Sequence, residues 1–168
     1  MRLRAIVLLV FVAAPATAQD TLKSVVVVDK RLATLVDQGR SRASTFRILV
    51  DQLEASNWVV FLQPGSCPDR AAIGCLLHVV GRFDGRPYVR ILVNPNGRHP
   101  DTVIATLAHE LQHACEVATA GTVTDGPSMI ALLRRIASSR TRVATAVLYE
   151  TAAARQVEEA VHAELRSR

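Results

Sequence analysis

A chain of 168 residues, 49% hydrophobic and 21% charged, carries enough apolar material for one buried core, which excludes a low-complexity or disordered protein. The net charge of +5 comes from scattered arginines without a dense basic run, and aromatics are only 4% of the chain, so a base-stacking nucleic-acid platform is excluded too. Beyond residue 20 no stretch is long and apolar enough to suggest a membrane span.

Residues 1–18 read as a secretory signal peptide: Arg2 and Arg4 are followed by an apolar run from Ala5 to Ala14 and by Ala16-Thr17-Ala18, an A-x-A cleavage site. Cleavage before Gln19 leaves residues 19–168 as one secreted or periplasmic domain, and with no cysteine near the cut no lipid anchor is expected. Val25, Val28, Leu32, Leu35 and Val36 recur at near-helical spacing, although Val25 to Val28 suits a strand equally well. Gly39 is expected to end this segment. Ser44 is placed to cap a second helix, with Phe46, Leu49, Val50 and Leu53 on its buried face. Then the period changes. Residues 58–62, 75–80 and 88–93 read as strands, and Asp84-Gly85 as a hairpin turn that makes at least one pair antiparallel. Asp101 is an expected N-cap for a helix with the apolar stripe Ile104, Ala108, Leu111 and Cys115, ending at Gly121. Ser128 is expected to cap a helix running to Ala137, and a last helix is expected from about Arg142 to Leu165. This order predicts an α+β fold, a small, mainly antiparallel sheet with helices packed on one face.

The cysteines are Cys67, Cys75 and Cys115. In an exported chain, Cys67 and Cys75 are expected to staple the loop between them, leaving Cys115 as a buried free thiol.

The chemistry centres on His109-Glu110-Leu111-Gln112-His113. On a helix, residues four apart stand on one face, so two imidazoles can converge on one metal ion. Glu110 lies beside that face, where a carboxylate can take a proton from a metal-activated water. The expected cofactor is Zn²⁺, with His109 and His113 as ligands and Glu110 as general base.

A strand, a loop and a helix carrying His-Glu-x-x-His resemble the catalytic half of the zincin metallopeptidases. The resemblance covers residues 57–154 and implies a zincin-like active-site helix and hydrolysis of a peptide or protein substrate. It also implies that strand 88–93 borders the cleft, so that Tyr88 and Arg90 touch substrate. Glu116 and Thr119 stand where the metzincin branch has glycine and histidine. The resemblance is therefore to the gluzincin branch, which takes its third ligand from a later helix and implies Glu150 in that role, with Glu116 as rival or outer partner. Glu158, Glu159 and Glu164 read as exposed helix carboxylates. The chain departs from that branch at Ala154, where an aspartate often orients a histidine; a backbone carbonyl, Asp125 or Glu116 are the substitutes. Tyr88 and His99 are the candidate oxyanion donors, whereas Tyr149, His78 and His162 are not favoured for the site. The missing aspartate and the uncertain oxyanion donor motivate an alternative, a zinc-stabilised binding protein with little turnover.

Overall fold

The computed structural model describes residues 23–143 and 146–167. The signal-peptide segment lies outside the described residues.

The valine run resolves as a strand, β1 (Val25–Val27), and the helix begins only after Asp29, whose side chain accepts from the Leu32 amide. Helix α1 (Lys30–Arg42) does not stop at Gly39. That glycine is buried against Phe46, whose ring would lie 3.0 Å from an added Cβ, so it serves close helix approach rather than termination. Helix α2 (Ser44–Glu54) follows one extended residue later. Ser44 is not its cap. The Glu164 carboxylate reaches across from the last helix, accepting from the Ser44 hydroxyl at 2.8 Å and the Thr45 amide at 3.1 Å, and satisfies the helix start in trans.

Strands β2 (Val59–Pro64), β3 (Gly74–Leu76), β4 (Gly81–Phe83) and β5 (Arg86–Val93) complete a sheet in the order β1-β2-β5-β3, with β4 also on β5. The expected strand 75–80 is shorter than its apolar run. Asp84 and Gly85 both have positive φ, 49° and 73°, which suits the tight β4–β5 hairpin. Pairings β1-β2 and β2-β5 are parallel, a feature the turn pattern does not reveal, while β3-β5 and β4-β5 are antiparallel. The architecture is α+β, a small mixed sheet with helices.

Helix α3 (Pro100–Thr119) is capped by His99, not Asp101; Asp101 instead pairs with Arg42 of α1 at 2.6 Å. The helix lies in the centre of the fold, packed on α1, α2, β3 and β5. Val89, Ile91 and Val93 of β5 alternate into the same core as Ile104, Leu107 and Leu111 of α3, all fully buried or nearly so. Burial of each such aliphatic side chain is worth about 1.5–3 kcal/mol, enough to fix α3 against the sheet. Helix α4 (Gly126–Ile136) is capped by Asp125, with Ser128 closing the reciprocal half of a capping box three residues on.

The expected long last helix is two different structures. Strands β6 (Ser139–Val143) and β7 (Ala146–Glu150) pair as an antiparallel ribbon, and only α5 (Ala152–Arg166) is helical. Thr141, Val143 and Val147 are β-branched and favour strand, and Thr151 caps α5 by accepting from the Ala154 amide. Counting this ribbon, three of the five strand pairings among the described residues are antiparallel.

Candidate metal centre

His109 and His113 lie one turn apart on α3, their rings 4.9 Å apart and 75° inclined. Both are buried, at 7% and 5% exposure, and a buried imidazole requires polar partners. Each finds a carboxylate at Nδ1: Glu158 of α5 stands 3.1 Å from His109, and Glu116 stands 3.0 Å from His113. Both Nε2 atoms are thereby left for another task. The His109 Nε2 is 3.4 Å from a carboxylate oxygen of Glu150, the last residue of β7. Donor atoms of His109, His113 and Glu150 all lie within 4.8 Å of one another, and the three are placed to hold a metal ion. Glu150 arrives from a strand end rather than from a helix, and α3 and α5 pack directly together around it.

A chain of hydrogen bonds ties the parts together. Thr151 donates to Glu116 at 2.7 Å while capping α5, so the residue after Glu150 also steadies the partner of His113. Glu110 is not in the donor group. It is buried beside it and accepts from the Leu76 amide of β3 at 2.7 Å. Gly74 makes this docking possible: a Cβ there would lie 2.9 Å from Thr106 and 3.2 Å from Glu110.

Electrostatics divide the carboxylates by task. Burial would lower the pKa of His109, but hydrogen bonds with Glu150 and Glu158, and the charge of Glu110, overcome it and raise it to about 10. Without metal, then, a proton on His109 holds the carboxylates together. The Glu150 carboxyl is lowered, chiefly by its bond to His109. Burial works against ionised Glu116, yet its bonds with His113 and Thr151 prevail and lower its pKa. Glu110 moves the other way. Its burial raises it above the ordinary carboxyl range despite the two nearby histidines.

His113 and Glu150 open on a cleft of about 80 Å³ between β3 and β7, lined also by Gly74, Leu76, His78, Glu110 and Tyr149, whereas His109 lines a second hollow of about 300 Å³ with Glu110, Glu150 and Glu158. His78 follows β3 and its ring lies 5.5 Å from that of Tyr149. Burial, then the neighbouring His113, lowers the His78 pKa and favours the neutral ring.

The residues expected to touch substrate are not brought here. Strand β5 is interior, with β2 on one side and β3 and β4 on the other, so it offers no free edge. Tyr88 packs on Phe61 at 5.3 Å, and Arg90, alternating with buried Val89 and Ile91, faces away from α3 with Tyr88. The sheet edge at the site is β3. His99 caps α3 and Asp125 caps α4, so neither serves the imidazoles.

Three residues that sequence reasoning set aside belong to the site: Glu158, His78 and Tyr149. For Glu158 a signal exists. It falls on the stripe Ala154, Glu158, Val161, Leu165, whose other members are buried, so it turns towards the inner face of α5. His78 and Tyr149 carry no such local mark.

Cys67 and Cys75 form a disulfide with Cα atoms 5.9 Å apart, and Cys115 is free and buried. Burial pushes the Cys115 thiol up to about 12, which keeps it protonated and unreactive. Among the described residues no helix is long and apolar enough to cross a membrane.

Compared with known protein families, curated proteins and solved structures, the chain matches none.

Proposed function

We propose that the protein is an exported zinc metallopeptidase of the gluzincin type. The observation that carries this reading is the paired orientation of the two histidines. Each Nδ1 is held by its own carboxylate, which leaves coordination to the Nε2 atoms, and that of His109 already lies 3.4 Å from a Glu150 oxygen. Holding the second ring nitrogen on a carboxylate is how proteins orient metal-binding histidines. A set of two imidazoles and one carboxylate suits Zn²⁺, which when bound polarises a carbonyl and lowers the pKa of water.

The chain's own part follows from the geometry. Glu110 stands outside the ligand set, fixed by the Leu76 amide, where it takes a proton from the attacking water and returns it to the leaving amine. Its raised proton affinity serves both halves of that task. His78 and Tyr149, which line the same cleft, are the candidate donors for the developing oxyanion. The cleft runs along β3, the terminal strand of the sheet, whose edge, unpaired among the described residues, suits an extended substrate. The disulfide and the signal-like N-terminal sequence support a secreted or periplasmic location.

The rival, a zinc-stabilised protein without turnover, took its force from the missing aspartate at Ala154. Glu158 and Glu116 supply that orientation from other positions. Glu110→Gln tests the proposal. The variant should keep about one zinc per chain and lose peptide hydrolysis by about 100- to 10,000-fold. Zinc-loaded wild type that cleaves no member of a broad peptide library would support the rival instead.

A further inference from the structure

The β6–β7 ribbon has a face that the metal site does not use. Its register sets Arg140 opposite Tyr149 and Arg142 opposite Val147, so these four side chains share one side. Arg134, in the last turn of α4, joins them around a hollow of about 240 Å³. The hollow is one ring away from the metal centre, because Tyr149 lines both. All three arginines are exposed, and none belongs to the ion pairs found among the described residues. Arg134 also suits the helix C-terminus, where a cation is favoured, but Arg140 and Arg142 on a strand have no such reason. The hollow's lining includes no acidic residue; Glu150 stands opposite Ser139, out of step with the arginine face, and is engaged by His109.

Resting on the metallopeptidase reading, we propose that this hollow selects peptides bearing carboxylates close to the scissile bond. Guanidinium forks match carboxylates bidentately, and three around one concavity favour an anionic segment over a neutral one. The metal cleft and the arginine hollow meet at Tyr149, so side chains of a peptide that runs past Tyr149 come up against the arginines. The carboxylate comes from Asp or Glu side chains or from the peptide's own C-terminus.

The test is binding and turnover of matched fluorescent peptides by the zinc-loaded full mature chain. One peptide has Glu-Glu beside a common core and one has Gln-Gln, each with a free and an amidated C-terminus. Binding is read by anisotropy on Glu110→Gln, so that it is independent of hydrolysis. The acidic peptides should bind at least about tenfold more tightly than the neutral ones, with the difference shrinking as salt rises. Arg140→Gln/Arg142→Gln should collapse that difference. Arg47→Gln/Arg98→Gln, which removes equal charge from exposed positions elsewhere, should keep it. A preference that follows the free C-terminus instead of the Glu pair would identify the terminal carboxylate as the source. Equal binding of acidic, neutral, free and amidated peptides, or a preference that survives the ribbon double variant, overturns the proposal. Tight selective binding with no turnover by wild type would leave the hollow in place and defeat the peptidase reading alone.

Discussion

The two halves of the site are built by different means. Helix α3 supplies His109, Glu110 and His113 from five consecutive positions, and their arrangement follows from helical period alone. The ribbon and α5 supply Glu150 and Glu158 from far along the chain, and their arrangement depends on tertiary packing. The same contrast separates the two imidazoles. His113 is held by Glu116, three residues away on its own helix, whereas His109 is held by Glu158, 49 residues away. Local geometry makes the pair of histidines, and long-range packing brings Glu150 to it to form a group that could hold a metal ion.

The comparison can be broken from either side, and the helical side should break hardest. His109→Ala/His113→Ala should abolish tight zinc binding, because it leaves a single carboxylate; stoichiometric zinc in dialysed double variant would contradict the assignment.

The orienting carboxylates come next. Glu158→Gln and Glu116→Gln should each weaken zinc binding by about 10- to 100-fold, since they loosen a ring without removing a donor. Glu158→Gln sharpens the comparison, because Glu158 is the partner that stands on α5 itself. An affinity unchanged in Glu158→Gln would mean that the distant half of the site is ornamental.

The pH dependence follows from His109. Its folded pKa, about 10, lies above the ordinary histidine value, so its pairing stabilises the metal-free protein fully below the unfolded pKa and is lost as pH rises through about 10. Zinc must displace that proton. Between about pH 7 and pH 9 affinity should therefore rise roughly tenfold per unit, with one proton released, measurable by calorimetry in buffers of differing ionisation heat. A flat profile would show that His109 is already neutral. The smallest effect belongs to the thiols: unfolded, unreduced protein should titrate with one free cysteine, Cys115.

The local half of the molecule was legible in the sequence and the distant half was not, for the same physical reason. The histidine helix, its apolar stripe, the Asp84-Gly85 hairpin and the Cys67–Cys75 staple all declare themselves within a few residues. Residues 139–150 do not. Alanines in that segment suggest helix, while strand formation depends on β6 and β7 finding one another. The caps misread at Ser44, Asp101 and Ser128 show the same limit, since each of these polar residues has another partner. Parallel pairing of β1, β2 and β5 leaves no mark on turns, so β5 passed for a cleft edge, and Tyr88 and Arg90 with it.

The central claim is that Glu150, carried in by the ribbon, completes the ligand set. Equilibrium zinc competition on wild type, Glu150→Ala and Glu116→Ala tests it most directly. Glu150→Ala should lose more than about 100-fold in affinity, while Glu116→Ala should stay within the roughly 10- to 100-fold range of an orienting partner. Zinc retained by Glu150→Ala and lost by Glu116→Ala would contradict it.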